Sequence, residues 1–181
     1  MSAPFLVEAL AGHDRSTFSS GVQALDRYFR IQVTQDVRRR VASCYVAVEA
    51  ETARVAGFYT IAAASIPTPD LPENIRKKLP RYPSTPAVRV GRLAVDLHFR
   101  GRGLGGALLA DAAARGLRAE AAAFALLVDA KDELAVAFYE HHGFHRFSSL
   151  PRGLFLALAT AERALHSGGA RVSKSRKGRS T

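Results

Sequence analysis

The sequence predicts an α/β or α+β fold with a mixed sheet that is flanked by helices, and three observations support it. Two apolar, β-branched runs over 42–48 and 54–65 are typical of paired strands. A stretch over 88–118 gives a strand, a glycine-rich loop and a helix, and another strand and helix follow it. Because the chain has 181 residues, it can form one domain with a substantial core.

The first half of the chain predicts helices, then two strands, then a basic insertion. Leu25, Tyr28 and Phe29 recur at helical spacing, and the next helix ends in three consecutive arginines. Prolines on both sides of a short basic helix mark the insertion, which places Arg76 and Lys77 on the surface. The expected bounds are 22–31 and 32–40 for the first two helices, 42–48 and 54–65 for the strands, and 73–79 for the helix of the insertion.

The second half alternates strands and helices. Asp132 suits the N-terminal cap of a helix, and Gly143 suits its left-handed C-terminal end. The composition of 167–181 predicts a disordered basic tail. We therefore expect a single domain over 1–166, with strands at 88–95, 124–129, 144–150 and 154–158 and helices at 103–118, between 132 and 143, and at 159–166.

The formal net charge of +10 indicates a polyanionic partner such as nucleic acid. Residues 167–181 contain five basic residues and no acid, which is half of the excess. A solvated charged face with a basic tail is the alternative explanation for the same charge.

Composition argues against several other classes of protein. No apolar run approaches the roughly 18 residues that a membrane span needs, and residues 1–14 lack the pattern of a signal peptide. Cys44 is the only cysteine, so no internal disulfide or cysteine-based zinc site is expected. Its apolar surroundings in the sequence favour a buried structural thiol over a nucleophile. We expect a cytoplasmic protein without a metal and without a membrane partner.

The glycine-rich loop is the strongest candidate for a binding site. Residues 100–106 contain four glycines and two arginines between a strand and a helix. Backbone N–H groups at a helix N-terminus bind anions, so we expect a phosphate or pyrophosphate here. Gly101, Gly103 and Gly106 also match the fingerprint of dinucleotide-binding proteins. In those proteins the loop follows its strand directly, whereas four residues separate the two here, and too little chain follows for a dinucleotide-binding fold.

Arg100, Gly103 and Gly105, between that strand and that helix, resemble the coenzyme loop of the GNAT acetyltransferase superfamily. The segment 137–144 (AFYEHHGF) agrees with this superfamily in order and spacing. The resemblance implies the GNAT acyltransferase fold, with a central mixed, mostly antiparallel sheet. It also implies acetyl-CoA as the co-substrate.

Further segments resemble the GNAT toxins of bacterial toxin–antitoxin modules, and this resemblance covers 13–158. They are the spacing of Phe18, Leu25 and Tyr28, the pair Gln35-Asp36, and the runs 57–60 (GFYT), 91–96 (GRLAVD) and 128–130 (VDA). Those toxins acetylate the amino acid carried on charged tRNA and so block translation. The resemblance implies aminoacyl-tRNA as substrate, a ribbon-helix-helix antitoxin, contact with operator DNA only through the antitoxin complex, and a homodimer.

The same resemblance implies the residues of the site. Tyr139 is expected to be catalytic, and Leu93, Ala94 and Val95 are expected to offer backbone hydrogen bonds to the pantetheine arm. The other expected coenzyme contacts are Arg100, Gly101, Arg102, Gly103, Leu104, Gly105, Gly106, Ala135 and Phe138.

The residues near the loop favour an α-amine as acceptor. The strand over 88–95 carries no carboxylate that could serve as a base, and Asp96 at its end is expected to be a turn residue. An α-amine has a pKa of about 7.7–8.0, and esterification of the carboxyl group of the amino acid lowers this pKa further. The lysine side chain has a pKa of about 10.4, so it needs more help to lose its proton. A protein or small-molecule amine as acceptor stays open as an alternative, as does a non-catalytic acetyl-CoA-binding regulatory module.

Basic residues outside the loop are candidates for contact with the acceptor stem of tRNA. Each phosphate contact releases counterions, so binding should weaken steeply with salt. A solvated helix end is the alternative for the arginines near residue 39. The residues expected to contact RNA are Arg38, Arg39, Arg76, Lys77, Arg89 and Arg92.

Overall fold

The computed structural model describes residues 4–174 and contains a seven-stranded sheet. The strands in chain order are β1 (Phe5–Ala9), β2 (Ser43–Glu49), β3 (Val55–Pro67), β4 (Ser84–Val95), β5 (Ala125–Asp129), β6 (His145–Arg146) and β7 (Gly153–Ala157). They are arranged in the order β1-β2-β3-β4-β5-β7-β6. The α-helices are α1 (Gln23–Arg27), α2 (Val33–Arg38), α3 (Glu73–Arg76), α4 (Leu104–Arg118), α5 (Glu133–His141) and α6 (Leu158–Lys174). The predicted combination of a mixed sheet with helices is confirmed.

The described residues form two compact units. The first contains the residues up to Ala64 together with Val88–Ala112, and the second contains Ser65–Ala87 and the residues from Ala113 onward. Strands β3 and β4 and helix α4 contribute residues to both units. The single domain over 1–166 stays a prediction.

Aromatic rings form the core of the first unit beside the antiparallel strands β1, β2 and β3. The rings of Phe29 and Phe58 stack with centroids 4.1 Å apart, and Phe18 meets Phe29 edge-on at 4.9 Å. Cys44 is buried in the same cluster, and burial raises the pKa of its thiol to about 12. The prediction of a structural, unreactive thiol is consistent with this environment.

Helices α1 and α2 are joined by a π-helical turn over Tyr28–Gln32. The sequence predicts two helices that meet near residue 31, whereas the structure has one helical segment with a wider turn in its middle. Tyr28, Phe29 and Val33 are buried, and Leu25 packs against the same core cluster. The apolar side chains therefore face the core as the helical spacing predicts.

In the second unit, β5, β7 and β6 pair antiparallel. The Asp132 carboxylate accepts a hydrogen bond from the Ala135 N–H at 2.8 Å, which caps α5. Gly143 ends the helix region with φ of +90°, and the Gly143 N–H donates to the Glu140 carbonyl at 3.0 Å. Both helix-end predictions are confirmed.

Strand β1 is not predicted from the sequence, and β4 begins earlier than expected. Every residue of β1 pairs with β2, a distant segment of the chain, so its own short sequence carries little signal. The sequence predicts β4 from residue 88, but Pro86 lies within this strand, where its carbonyl accepts a hydrogen bond from the Phe124 N–H at 2.8 Å. Proline has no backbone N–H to donate, but its carbonyl can still accept a hydrogen bond.

Two elements of the second unit are shorter than predicted. Helix α3 ends at Arg76, since Lys78 and Leu79 donate to the carbonyls three residues before them, which makes tighter turns than an α-helix. Strand β6 has only two residues, because the chain turns back and the Phe147 N–H donates to the Gly153 carbonyl at 3.0 Å.

Helix α6 continues to Lys174, beyond the end that the sequence predicts at His166. The predicted basic tail therefore overlaps this helix, and its last residues, 175–181, lie outside the described part of the chain. None of the helices within 4–174 is both long enough and apolar enough to span a membrane. Among the same residues there is no group of three or more His, Cys, Asp or Glu side chains that could hold a metal ion.

Candidate active site

The loop between β4 and α4 is held open by two glycines in the left-handed region. Gly101 has φ of +76° and Gly103 has φ of +75°. A Cβ atom at either position would meet no atom within 4 Å, so packing does not demand glycine there. The backbone conformation demands glycine, because residues with a side chain rarely adopt a positive φ.

Unpaired backbone donors follow this loop at the start of α4. The Ala107 N–H donates to the Gly103 carbonyl at 3.1 Å. Among the described residues, no backbone carbonyl accepts from Leu104, Gly105 or Gly106, as the first turn of an α-helix requires. Such N–H groups, at the positive end of a helix dipole, are the donors that bind anions at the N-termini of helices in other proteins.

The Asp96 carboxylate fixes the start of this connection. It is completely buried and accepts hydrogen bonds from the N–H groups of Ser19 and His98, both at 2.9 Å, and from the His98 ring at 3.0 Å. Burial by itself would raise the pKa of Asp96, but these hydrogen bonds outweigh burial and lower it. The carboxylate is therefore a turn-forming group, as predicted, and a poor proton acceptor.

Both arginines of the loop have contacts inside the first unit. The Arg100 guanidinium donates to the Ser20 carbonyl at 2.5 Å. Arg102 lies 5.3 Å from the ring centroid of Phe5, 5.8 Å from that of Phe99 and 3.9 Å from the Glu49 carboxylate. Each side chain thus helps to hold the loop against the rest of the unit, which the sequence does not reveal.

The strand before the loop lies close to a neighbouring strand. Ala94 is buried, whereas Leu93 and Val95 are half-buried. A Cβ atom on Gly57 would lie 3.0 Å from the Ala94 carbonyl oxygen, so glycine at this position permits a close approach of β3. The Asp96 N–H donates to the Ala56 carbonyl at 2.8 Å just beyond the strand.

Tyr139 lies on α5, in the second unit, and belongs to a group of aromatic side chains. Its ring centroid is 5.2 Å from that of Phe138 and 5.4 Å from that of Phe144. No hydrogen bond joins its hydroxyl to another residue in the described part of the chain. Burial raises the pKa of Tyr139 to about 12, so the hydroxyl holds its proton at neutral pH.

The other α5 residues named by the sequence surround Tyr139 on the helix. Ala135 is half-buried, one turn before Tyr139, and the ring of Phe138 lies 4.8 Å from that of His142. Burial and the neighbouring His141 lower the pKa of His142, so this imidazole is neutral at pH 7. The rings of Phe138, His142 and Phe144 near this end of α5 are therefore uncharged at pH 7.

The predicted RNA contacts divide into exposed and half-buried residues. Arg38, at the end of α2, and Arg39 are exposed, as are Arg76 and Lys77 of the insertion. Lys77 pairs with Glu73 at 3.5 Å, one helical turn earlier. The half-buried members are Arg89 and Arg92.

Arg92 is fixed by residues that sequence reasoning did not assign to the site. Its guanidinium carbon lies 3.6 Å from the centroid of the Tyr28 ring. The Tyr28 hydroxyl donates to the Asp36 carboxylate at 2.9 Å. Tyr28 and Asp36 are eight residues apart and share a helical segment, which was the available signal in the sequence.

Comparison with known families identifies the family of the chain. Residues 40–146, which include the loop and Tyr139, match the acetyltransferase (GNAT) domain. The chain belongs to the GNAT acetyltransferase family.

Two relatives of this GNAT protein are toxins by name. It is 32% identical over 157 residues to a probable toxin TacT of Sinorhizobium fredii, covering 82% of this chain and 87% of the relative. It is 36% identical over 150 residues to a tRNA-acetylating toxin of Mycobacterium tuberculosis, covering 82% and 88%.

Solved structures of similar proteins share the fold of this GNAT chain. AtaT complexed with acetyl-methionyl-tRNAfMet matches with a TM-score of 0.80 and 26% identity, over 89% of this chain and 99% of that one. AtaTR bound with acetyl-CoA matches with a TM-score of 0.73 and 26% identity, over 90% and 98%. A mutant of KacT matches with a TM-score of 0.82 and 26% identity, over 90% and 99%.

Proposed function

We propose that this acetyltransferase is the toxin of a toxin–antitoxin module. It transfers the acetyl group of acetyl-CoA to the α-amino group of aminoacyl-tRNA and so blocks translation. The observation that carries the proposal is the set of unpaired N–H groups at the start of α4, in a chain 36% identical to a tRNA-acetylating toxin. Acetyl-CoA supplies the acetyl group as an activated thioester.

The proposed coenzyme contacts begin at the glycine loop. The N–H groups of 103–106 would receive the pyrophosphate, and the backbone of 93–95 would receive the pantetheine arm. Arg100 and Arg102 add positive charge beside the loop while they also hold its shape. Ala135 and Phe138 are proposed to contact the coenzyme from α5.

Tyr139 is the proposed catalytic residue. In acetyl transfer the acceptor nitrogen forms a bond to the carbonyl carbon, the carbon–sulfur bond breaks, and the sulfur leaves with the electron pair. A thiol has a pKa of about 8.5, well below the value of about 12 for Tyr139. The hydroxyl therefore stabilises the departing sulfur as a hydrogen-bond donor rather than by giving up its proton completely.

The acceptor amine is proposed to need little help from a base. Asp96 is completely buried and already accepts hydrogen bonds from Ser19 and His98. An α-amine with a pKa of about 7.7–8.0, lowered further by esterification, supplies enough neutral form by itself. The amine proton that is lost on acetylation passes to solvent.

The partners below extend the proposal beyond the acetyl-CoA and acetyl-methionyl-tRNAfMet of the similar structures. The antitoxin is a ribbon-helix-helix protein, operator DNA is contacted through the complex with it, and the enzyme acts as a homodimer in the cytoplasm. The predicted RNA contacts are those named above: Arg38, Arg39, Arg76, Lys77, Arg89 and Arg92.

Radiolabelled acetyl-CoA and total charged tRNA provide the test. We expect label to appear on the amino acid of one or a few tRNAs, and expression of the protein to arrest growth. Tyr139→Phe keeps the ring packing but removes the hydroxyl, so we expect kcat to fall by roughly 100-fold or more. The dissociation constant for acetyl-CoA should not change.

The proposal would be wrong if the active protein labels no aminoacyl-tRNA. Full activity in Tyr139→Phe would remove this hydroxyl from the mechanism while leaving the substrate assignment intact. Phe144→Leu serves as a control for a general disturbance of the aromatic group, because it also alters the ring packing around Tyr139, keeps the hydroxyl and lies outside the proposed coenzyme contacts.

A further inference from the structure

The insertion between β3 and β4 forms a cavity of about 580 Å³ within the second unit, and this cavity is open to solvent. This volume lies within the usual range for sites that hold a small organic group. The residues that line it are Thr68, Pro69, Glu73, Arg76, Lys77, Leu79, Pro80, Arg81, Tyr82 and Pro83.

Hydrogen bonds across the base of the insertion keep the cavity in shape. The Thr68 N–H donates to the Pro83 carbonyl at 3.0 Å, and the hydroxyls of Thr68 and Thr85 lie 2.9 Å apart. The Arg76 guanidinium donates to the Pro69 carbonyl at 3.4 Å, and the buried Leu71 anchors the segment between them. The cavity is therefore formed before any ligand arrives, which reduces the entropy lost on binding.

An aromatic ring and three cations meet at this cavity. Tyr82 is 68% exposed and lines the cavity, so its ring is accessible for stacking. Arg76, Lys77 and Arg81 bring three positive charges against the single negative charge of Glu73. Within the described residues, Arg81 has no hydrogen bond or ion pair, so its guanidinium is available to a ligand.

We propose that this cavity binds an unpaired nucleotide of the RNA substrate, with the base stacked on Tyr82 and the flanking phosphates beside Arg76 and Arg81. Aromatic rings bind single-stranded bases by stacking, and arginine pairs with phosphate through two parallel N–H groups. The cavity is too small for a duplex, and a paired base does not offer its face for stacking. The assignment rests on the proposed function, since it takes RNA as the substrate.

The coenzyme is the other source of a base with a phosphate. Its pyrophosphate already has a candidate site in the first unit, at the start of α4, where the donors are backbone N–H groups. The insertion offers side-chain cations and an exposed ring instead. We therefore assign the RNA to the insertion and treat the coenzyme as the alternative outcome of the test.

Binding of fluorescein-labelled hexaadenylate, followed by anisotropy, tests the cavity directly. Tyr82→Ala should raise the dissociation constant by roughly fivefold to a hundredfold, because stacking on the ring is lost. Tyr82→Phe keeps the ring and should bind like the wild type. Tyr82 is largely exposed, so neither change should disturb the fold.

Arg81→Ala tests the phosphate contact against a matched control. It should reduce the slope of log K against log salt by about 0.7, the value for one phosphate contact to a single strand. Lys78→Ala removes a charge from an exposed neighbour of Lys77 that does not line the cavity, and should reduce the slope less.

Enzyme kinetics separate the failure of this assignment from the failure of the proposed function. We expect Tyr82→Ala to raise KM for aminoacyl-tRNA and to leave KM for acetyl-CoA unchanged. A wild-type enzyme that acetylates aminoacyl-tRNA while Tyr82→Ala matches it in both assays would overturn the cavity assignment. A rise in KM for acetyl-CoA alone would also overturn it, in favour of the coenzyme. Loss of hexaadenylate binding in Tyr82→Ala would support the cavity even if the acceptor proved not to be aminoacyl-tRNA.

Discussion

At the scale of single residues, Arg92 shows how a predicted contact residue is held by its neighbours. Its guanidinium covers one face of the Tyr28 ring at 3.6 Å. Burial and the hydrogen bond to Asp36 raise the pKa of Tyr28 to about 12, so the hydroxyl remains a donor at neutral pH. The contact with Tyr28 therefore leaves the Arg92 side chain little rotational freedom to lose on binding. A phosphate would contact the face of the guanidinium that Tyr28 leaves uncovered.

The pH dependence of acetyl transfer tests the role of Tyr139 at this scale. With a pKa of about 12, the hydroxyl is protonated throughout the range from pH 6 to 10. The acceptor amine must lose its proton, with a pKa at or below about 7.7–8.0. We expect kcat/KM to rise with pH through the pKa of the acceptor and then to stay level up to about pH 10. Initial rates in overlapping buffers provide the measurement.

Tyr139→Phe is the control for this pH profile. In this variant kcat/KM should still rise at low pH, because that rise reflects the pKa of the acceptor amine, but its plateau should be lower. A decline in the wild-type rate between pH 8 and 10 would contradict the assignment, because it would mean that the hydroxyl loses its proton far below the expected pKa.

At the scale of elements, the connection from β4 to α4 is proposed to bind the coenzyme mainly through backbone N–H groups, with the charges of Arg100 and Arg102 beside them. Asp96 is buried at the start of the connection, and Gly101 and Gly103 turn the chain through left-handed conformations. Arg100 and Arg102 point to other parts of the first unit. The proposed anion site therefore depends on loop conformation as much as on charge.

Gly103→Ala tests this dependence. Alanine in the left-handed region costs roughly 1–2 kcal/mol, and nothing within 4 Å would collide with its Cβ atom, so only the backbone conformation is disturbed. We expect the dissociation constant for acetyl-CoA to rise by about tenfold, since about 1.4 kcal/mol corresponds to that factor. Isothermal titration calorimetry would measure it.

Gly12→Ala is the matched control for this loop variant. The Cβ atom at residue 12 would also meet no atom within 4 Å, and Gly12 does not have a positive φ. This variant should bind acetyl-CoA like the wild type. Equal binding by Gly103→Ala would show that the left-handed loop is not needed for the coenzyme.

At the scale of the whole molecule, positive charge is the dominant property. The formal net charge is +10, and exposed cations occur in both units, at Arg38 and Arg39 in the first and at Arg76 and Lys77 in the second. A polyanion is attracted to such a surface before any specific contact forms. Association with tRNA should therefore be fast at low salt and slow at high salt.

Charge reversal at Arg38 and Arg39 tests whether this end of α2 contacts RNA. We expect Arg38→Glu with Arg39→Glu to weaken tRNA binding strongly at about 50 mM salt and only slightly at about 500 mM, because salt screens these contacts. Filter binding at a series of salt concentrations would measure the effect. Acetyl-CoA binding should be unchanged.

Arg118→Glu with Arg163→Glu provides a control of equal charge. Both arginines are exposed and lie outside the predicted contacts, so this pair changes the net charge but not the proposed patch. If the two double variants lose affinity equally at every salt concentration, Arg38 and Arg39 contribute only to the general charge of the molecule.

The elements that the sequence predicted well are those whose signals are local. Asp132 caps its helix through a residue three positions later, and Gly143 ends that helix with a backbone conformation that favours glycine. Strand β1 lacked such a signal, because its pairing with β2 depends on residues about forty positions away. The predicted start of β4 at residue 88 was too late, because Pro86 lies within the strand and its carbonyl accepts a hydrogen bond from the distant Phe124 N–H.

The sequence by itself determined the glycine loop, the helix that follows it and the excess of positive charge, since each depends on residues that are neighbours in the chain. Tertiary structure alone decided what holds the loop in place. The buried Asp96 carboxylate accepts a hydrogen bond from the N–H of Ser19, which is 77 residues away. The Arg100 guanidinium donates to the carbonyl of Ser20, which is 80 residues away. Such partners are selected by packing, because a buried polar group must find a hydrogen bond wherever the fold provides one.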